Sequence, residues 1–294
     1  MSSAGQAHGK FIVLGEHSIL YGGQALVYPI SELCLKFSID SDSKHTTQGP
    51  LLNGKSLDRW QIEKLRSVFS AMNVELNVDL VRIESEIPIG KGLGSSAALC
   101  VAVARYFFPE ASSIAIAKLA KIGEGVFHGT SSGADPFGIS LEQPIVYKMA
   151  ANEFRPLNLA SAGDYVFILR DSGIVHSTAE VIKKVSDIRE KHPHQFNSII
   201  DRLKVNTTLG LKMMEESQFD RLGLVLQDSN RLLFDMGLGN AALQEALESL
   251  LSEGALGAKM TGAGLGGYVF GLFPENKVPK NLRAGDIIVR CCGL

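Results

Sequence analysis

Apolar residues recur along the chain with two different spacings, which predict mainly strands in the first half and mainly helices in the second. Short apolar runs and alternating apolar positions predict strands, whereas longer amphipathic or apolar segments predict helices. In the first half, strands are predicted at KFIVL (10–14), ALVYPI (25–30), LCLKFSID (33–40), VELNVDLVRIESEI (74–87) and ISLEQPIVYK (139–148). Helices are predicted at LDRWQIEKLRSVFSAM (57–72), AALCVAVARYFF (97–108) and SSIAIAKLAKIGEGVFHG (112–129).

The second half begins with a predicted strand, YVFILRD, and continues with a largely helical region that leads into two more strands. The helices are predicted within TAEVIKKVSDIREKH, FNSIIDRLKVNTTLGLKMMEE, FDRLGLVLQDSNRLLFDMG and NAALQEALESLLSEG, and the strands after KMTGAGLGG and in AGDIIVRCC. This order predicts an α/β fold of the two-layer α+β kind. We expect two domains, 1–162 with the nucleotide-binding glycine loop and 163–294 of α+β type, with the boundary near Ala162.

The composition argues against several classes of function but does not identify a single one. The chain has 294 residues, enough for two domains, and a net charge of −2, which argues against a polyanion-binding surface and hence against nucleic acid. Its four cysteines lack C-x-x-C spacing, which predicts neither a zinc site nor a disulfide framework. No signal-like N-terminus or apolar run of about 18 residues is present, so we expect a cytoplasmic protein that does not enter the membrane.

A glycine-rich loop, IPIGKGLGSSAAL (87–99), lies between an extended apolar segment and a long apolar helix. Its glycines allow backbone N–H groups to approach a ligand closely, and the following helix directs its positive N-terminal end towards the loop. We predict that this loop binds a phosphate chain through Gly90, Lys91, Gly92, Leu93, Gly94, Ser95 and Ser96. The alternative is a tight turn that only joins a strand to a core helix.

A second stretch, GPLLNGKS (49–56), matches the Walker A pattern G-x-x-x-x-G-K-[ST] letter for letter. The pattern has meaning only where a buried strand precedes the loop, and the preceding DSDSKHTTQ is polar. We therefore interpret it as an exposed turn. A P-loop NTPase stays as a minor alternative, because a helix follows and the strand ending at Asp171 could serve as Walker B.

A small group of polar residues could supply phosphoryl-transfer chemistry, which needs Mg²⁺, a cation on the transferred group and a carboxylate facing the attacking hydroxyl. Lys10, Ser96, Glu124 and Asp135 together offer these groups. Each also has a simpler explanation, since Asp135 before Pro136 could only form a turn, Glu124 could be a solvated helix residue and Lys10 could flank a strand. No histidine has a second one at metal-site spacing, so none is assigned a metal.

Five stretches resemble the sequence motifs of the GHMP small-molecule kinases, and the first is most similar to the mevalonate kinases among them. The stretches are GKFIVLGEHSILYGG, IPIGKGLGSSAA, EGVFHGTSSGAD, SNRLLFDMGLG and KMTGAGLGG, and together they span most of the chain. The resemblance implies a two-domain kinase with its active site in the cleft between the domains. It also implies ATP and Mg²⁺ as cofactors and the phosphorylation of mevalonate to 5-phosphomevalonate in isoprenoid precursor synthesis.

The resemblance also assigns roles to single residues. Asp135 is expected to be the general base, and Lys10 to hold the substrate hydroxyl and stabilise the transferred phosphate. Ser96 and Glu124 are the expected Mg²⁺ ligands. The expected substrate-binding residues are Glu16, His17, Gly262, Ala263 and Gly264. Mevalonate and ATP are thus the expected partners, and a homodimer is left open.

Two positions depart from the family pattern. Leu265 stands where the third glycine motif usually continues with glycine, and SGIVHST (172–178) replaces a basic V-P-R stretch, which leaves the substrate open to a related acid or alcohol. A sibling such as phosphomevalonate kinase is therefore one alternative, although GEH followed by Tyr21 argues against it. A non-catalytic ligand sensor is another, but it would be expected to lose Lys10, the base or a magnesium ligand.

Overall fold

The computed structural model describes residues 4–40, 49–129, 131–157, 159, 164–175 and 178–291. Its strands, in chain order, are β1 (Gly5–Leu14), β2 (Ala25–Ile39), β3 (Leu51–Leu52), β4 (Lys55–Ser56), β5 (Val81–Ser85), β6 (Ile145–Lys148), β7 (Glu153–Pro156), β8 (Tyr165–Asp171), β9 (Gly257–Met260), β10 (Tyr268–Pro274) and β11 (Ile287–Arg290). Its helices are α1 (Arg59–Ala71), α2 (Ser95–Phe107), α3 (Ser113–His128), α4 (Ala134–Leu141), α5 (Thr178–Lys191), α6 (Pro193–Glu215), α7 (Phe219–Asp235) and α8 (Ala241–Ser252).

The chain forms two compact units that are interleaved along the sequence. The first unit comprises Met1–Lys10, Pro29–Ile89 and Gly94–Glu142, and the second comprises Phe11–Tyr28, Gly90–Leu93 and Gln143–Leu294. The predicted boundary at Ala162 lies outside the described residues and stays a prediction.

The first unit combines strands β3, β4 and β5 and part of β2 with helices α1 to α4. Residues 35–39 of β2 pair antiparallel with β5, and β5 pairs parallel with β3. Helix α2 is apolar on nearly every face and packs against both α3 and α4, so seven of its thirteen residues are buried. Phe37 of β2 packs edge-on against Phe69 and Tyr106. Helix α2 is thereby anchored in a core.

The Walker-like stretch forms a short hairpin. Strands β3 and β4 pair antiparallel, and Asn53 and Gly54 turn between them with positive φ angles. The Asn53 side chain exchanges two hydrogen bonds with the backbone of Ser85, and Lys55 is exposed. The prediction of an exposed turn is confirmed, because Asn53 and Gly54 in the turn of this hairpin and the adjoining Lys55 are exposed.

The second unit contains an antiparallel sheet in the order β11-β8-β10-β9. Helix α8 packs against β9 and β10, and α7 packs against β9. Four aromatic rings from separate parts of the sequence form one cluster with centroid distances of 5.3–5.7 Å: Phe11, Tyr28, Phe167 and Phe270. Phe11 and Tyr28 thus belong to the core of a unit whose sheet begins more than a hundred residues later.

The predicted α/β class is confirmed, whereas several element boundaries were wrong. Residues 139–141 belong to α4 rather than to a strand, because this helix begins at Ala134 and packs against α2 and α3. The strands predicted at 25–30 and 33–40 are the single strand β2, whose two ends pair with different partners, β6 and β5. The long strand predicted over 74–87 is reduced to β5, with a 3₁₀ turn before it.

A helix needs about 20 predominantly apolar residues to cross a bilayer. Within the described part of the chain, no helix is both long and apolar enough to cross a membrane. The predicted cytoplasmic location stays a prediction.

Candidate active site

A buried lysine and a carboxylate form an ion pair in the first unit. Lys10 lies in β1 with only 3% of its side chain exposed, and its Nζ is 2.8 Å from Oδ2 of Asp135. Asp135 lies in the first turn of α4, which begins after Gly133 in the left-handed conformation. The hydroxyls of Ser131 and Ser132 accept hydrogen bonds from the backbone N–H groups of Gly133 and Ala134. The turn is thereby fixed, and Asp135 is held beside an ammonium group.

The same lysine packs against the start of α2. Gly94 is the N-cap of that helix, with φ 83°, and a Cβ atom at this position would lie 3.0 Å from Cγ and Cε of Lys10 and 3.2 Å from Cδ1 of Ile139. Both the left-handed backbone and this close approach require glycine. Gly94 has no side chain to cap the helix, and the N-terminal N–H groups of a helix favour anions. A cation and a helix N-terminus therefore lie side by side.

Glu124 is a second buried carboxylate in the first unit. It lies on α3, is 5% exposed and accepts a hydrogen bond from the Ser131 hydroxyl. Burial and, secondarily, the negative charge of Asp135 raise the pKa of Glu124 to about 8, against the opposing effects of Ser131 and Lys10. A carboxyl group with such a pKa gains from a nearby cation. Among the described residues, no cluster of three or more histidine, cysteine or carboxylate side chains forms a metal site.

The rest of the glycine loop, Gly90–Leu93, is grouped with the second unit. Lys91 forms an ion pair with Asp171 at the end of β8, with Nζ 2.9 Å from Oδ1, and its carbonyl accepts a hydrogen bond from the N–H of Tyr268. A Cβ atom at Gly92 would lie 3.3 Å from the carbonyl oxygen of Thr261. The glycine loop and the third glycine motif therefore approach each other closely along their backbones.

The first and third motifs are also joined within the second unit. The buried carboxylate of Glu16 pairs with the fully buried ammonium of Lys259. Nε2 of the half-buried His17 is 2.9 Å from the carbonyl oxygen of Ala263. Burial lowers the pKa of His17, the hydrogen bond to Ala263 raises it, and the positive charge of Lys259 lowers it further.

The third motif follows β9 as a chain of tight turns. Gly262 and Gly264 both have positive φ angles, and Leu265 adopts φ 63° although it is not glycine. The Leu265 N–H donates to the carbonyl of Leu238, and its carbonyl accepts from the side chain of Asn240. Leu265 thus adopts the left-handed conformation that usually favours glycine, and both of its backbone polar groups are hydrogen-bonded.

The sequence-predicted residues fall into two groups. The first unit brings together Lys10, Gly94, Glu124 and Asp135, with Ser95 and Ser96 opening α2. The second unit holds Gly90 to Leu93 together with Glu16, His17, Gly262, Ala263 and Gly264. Of the SGIVHST stretch, residues 176 and 177 lie outside the described residues. The site roles stay predictions.

Comparisons with known proteins bear on this arrangement. The family model "GHMP kinases N terminal domain" matches residues 61–143, and "GHMP kinases C terminal" matches residues 207–285. A mevalonate kinase of Archaeoglobus fulgidus is 31% identical over 285 residues, which cover 93% of each chain. The chain belongs to the GHMP kinases. It is accordingly an ATP-dependent small-molecule kinase.

Solved structures share the fold of this GHMP kinase. The crystal structure of L. major mevalonate kinase in complex with R-mevalonate superposes with a TM-score of 0.76, at 22% identity, covering 94% of this chain and 89% of that one. The Methanococcus jannaschii mevalonate kinase gives a TM-score of 0.76, also at 22% identity, covering 98% and 97%. At this identity the likeness concerns the fold alone.

Sequence reasoning missed three residues that organise this GHMP kinase. Lys259 pairs with Glu16, Thr261 exchanges two hydrogen bonds with the backbone of Ile12, and Asn230 accepts a hydrogen bond from the N–H of Met260. Lys259 and Thr261 belong to the third motif, and Asn230 lies in SNRLLFDMGLG. A lysine inside an otherwise apolar strand before the glycines was the available signal.

Proposed function

We propose that this GHMP kinase transfers the γ-phosphoryl group of ATP to mevalonate and releases ADP and 5-phosphomevalonate. The observation that carries the proposal is the buried Lys10–Asp135 pair, packed against Gly94 at the start of α2. The choice of mevalonate is supported by the names of relatives that match almost the whole chain and by the GEH sequence of the first motif.

In the proposed reaction, Asp135 accepts the proton of the attacking hydroxyl. Lys10 holds Asp135 in place and offers its positive charge to the phosphoryl group during transfer. This division suits phosphoryl transfer, which needs positioning and charge stabilisation more than covalent chemistry. Because 97% of the Lys10 side chain is shielded from solvent, water screens this ammonium poorly, which strengthens its effect on a nearby phosphate.

The phosphates of ATP are assigned to the glycine loop and the N-terminus of α2, from Gly90 through Ser96. Glu124 and the Ser96 hydroxyl offer hard oxygen ligands of the kind that Mg²⁺ prefers. The residues fit the ion, since Glu124 is a buried carboxylate with a raised pKa that a cation would stabilise in its ionised form. Mg²⁺ commonly uses one or two protein groups and completes its shell with phosphate oxygens and water. When bound, it would neutralise charge on the phosphates.

Mevalonate is assigned to the first and third motifs. Glu16, His17, Gly262, Ala263 and Gly264 stand as its proposed binding segment, and the links between these motifs within the second unit support a joint role. A phosphomevalonate kinase would need more basic groups for its doubly charged substrate. Of the basic side chains in these motifs, Lys259 is fully buried against Glu16 and does not offer that charge to solvent.

A coupled ADP-release assay with saturating Mg·ATP tests the proposal. Mevalonate, phosphomevalonate, galactose and homoserine should be compared at equal concentrations, with a Mg²⁺-free reaction as the control. We expect turnover with mevalonate only, and loss of that turnover without Mg²⁺. Turnover with phosphomevalonate and none with mevalonate would show that the chain is a sibling kinase.

A further inference from the structure

Lys259 and Glu16 form an ion pair that is almost completely shielded from solvent. The side chains are 0% and 3% exposed, and Nζ of Lys259 also donates to the carbonyl of Met260 at 2.8 Å. This Nζ lies 5.7 Å from the ring centroid of Phe270. Apolar residues of similar size often stabilise a core at least as well as a buried ion pair. Stability alone therefore does not account for this ion pair.

The pair is one of three links between the first and third motifs. Thr261 Oγ1 accepts a hydrogen bond from the Ile12 N–H at 2.8 Å and donates to the Ile12 carbonyl at 3.0 Å. Nε2 of His17 lies 2.9 Å from the carbonyl oxygen of Ala263. In the first motif Glu16 lies between Ile12 and His17, whereas in the third motif Lys259 precedes both Thr261 and Ala263, so the ion pair is a further link beside the other two. It therefore fixes the position of Glu16 and, with it, that of the neighbouring His17.

The contact at Ala263 determines which ring nitrogen of His17 carries a proton. A carbonyl oxygen can only accept a hydrogen bond, so Nε2 must bear the hydrogen. Burial and the positive charge of Lys259 both lower the pKa of His17 and favour the neutral ring. In a neutral imidazole with hydrogen on Nε2, Nδ1 keeps its lone pair. This ring can accept a hydrogen bond from a hydroxyl group but cannot donate a second one.

We propose that Lys259 is a positioning residue that, through Glu16 and through its own charge, holds His17 as the neutral Nε2–H tautomer on the Ala263 carbonyl. Nδ1 of His17 is then the acceptor for a hydroxyl group of the substrate, and Ala263 is fixed between the two glycines of the third motif. Glu16 contributes to the proposed binding segment by linking Lys259 to the adjacent His17. The inference rests on the proposed function only for the identity of that substrate.

Nitrogen-15 NMR of the histidine rings tests the inference in the ligand-free full chain at pH 7, with the His17 signals assigned from a His17→Gln variant. Wild type should show a neutral ring with hydrogen on Nε2. Lys259→Met should lose that signature and show mixed tautomers or a protonated ring, whereas Lys259→Arg, which keeps the charge, should retain it. Asp286→Asn is the matched control, because it weakens another buried ion pair of the second unit, with Arg170, and should leave His17 unchanged.

Kinetics provide the second readout. Lys259→Met should raise KM for mevalonate about tenfold, as expected when one substrate hydrogen bond is misplaced, while KM for ATP changes less than about twofold. Asp286→Asn should lower the melting temperature and leave both KM values unchanged. If Lys259→Met does not fold, the double variant Glu16→Gln/Lys259→Met avoids an unpaired buried charge and should show the same rise in KM.

The two readouts separate the two proposals. If wild type does not phosphorylate mevalonate, the proposed function fails while the NMR measurement still decides the role of Lys259. An unchanged His17 tautomer in folded Lys259→Met, or an unchanged KM for mevalonate in an active wild-type background, would overturn the inference.

Discussion

Lys10 connects the starts of two helices through a single side chain. Its stem packs over Gly94 at the N-cap of α2, and its ammonium binds Asp135 in the first turn of α4. From the sequence alone, a lysine that begins an apolar strand could equally be a solvated flank. The structure shows that it is buried, which explains why Gly94 tolerates no side chain.

Asp135→Asn tests the central residue of the proposed mechanism. Asparagine keeps the size of the side chain but cannot accept the substrate proton. We expect kcat to fall by about 10²- to 10⁴-fold, or about 3 to 5 kcal/mol of barrier, with a much smaller effect on binding. The measurement is kcat at saturating mevalonate and Mg·ATP on folded protein. If Asp135 only forms a turn before Pro136, asparagine serves that turn nearly as well, and kcat would stay within about tenfold of wild type.

At the scale of elements, the long periodic segments were predictable and the short ones were not. Helices α1, α2, α3 and α5 to α8 were predicted within a few residues, because their apolar spacing extends over several turns. Strand β7 and the early start of β1 at Gly5 were missed, since neither carries a strong apolar run. Residues 139–141 were assigned to a strand because a short run such as ISL fits a strand as well as a helix. The packing of α4 on α2 and α3 determines that this run is helical.

The residues of the candidate site that belong to recognisable motifs could be predicted from the sequence. Gly94, Lys10, Glu124 and Asp135 are recognisable from the motifs and their spacing, and all four lie in the first unit, whereas Gly90–Leu93 of the glycine loop are grouped with the second unit. Lys259 was not found, because its importance arises from a partner 243 residues away. Contacts over such separations depend on the fold, so the lysine within an apolar strand was visible in the sequence but its partner was not.

Glu142 joins three elements of the first unit and makes their stability dependent on pH. It follows α4, and its carboxylate contacts His8 of β1 at 3.4 Å and Arg105 of α2 at 2.7 Å. The hydrogen bond from His8 and then the interactions with Arg105 lower the pKa of Glu142 to about 2. Because the folded state favours the ionised carboxylate, its interactions with His8 and Arg105 stabilise the fold above a pH of about 4.5. This contribution is lost as the pH falls towards 2.

Glu142→Gln should therefore lower the melting temperature by a few degrees at pH 7, and the difference from wild type should shrink as the pH approaches 3. The effect is modest because 45% of the side chain is exposed and water screens the charges. Glu63→Gln, which breaks a more exposed ion pair with Arg66, is the control and should have little effect at either pH. A difference that stayed constant from pH 7 to pH 3 would contradict the assignment.

At the scale of the whole molecule, each compact unit is assembled from stretches that are far apart in the sequence. The second unit takes Phe11–Tyr28 from the start of the chain and Gly90–Leu93 from the glycine loop, although most of it follows residue 142. A single cut in the sequence therefore cannot separate the two units. This interleaving bears on the predicted domain 163–294, which would have to form its core without the early segments.

Residues 163–294 expressed alone should fail to fold cooperatively. The fragment lacks Phe11 and Tyr28, so Phe167 and Phe270 lose neighbours whose rings lie 5.3–5.7 Å away, and each large side chain left unburied costs about 1.5–3 kcal/mol. It also lacks Glu16, which leaves the ammonium of Lys259 without its carboxylate, a further cost of about 3–5 kcal/mol for a buried charge that loses its partner. These losses together approach the total stability of an ordinary domain, about 5–15 kcal/mol. Amide dispersion in NMR and a calorimetric melting scan of the fragment check this, with co-expressed residues 1–162 as the control that should restore the fold. A sharp, cooperative transition of the fragment by itself would instead establish 163–294 as an autonomous domain.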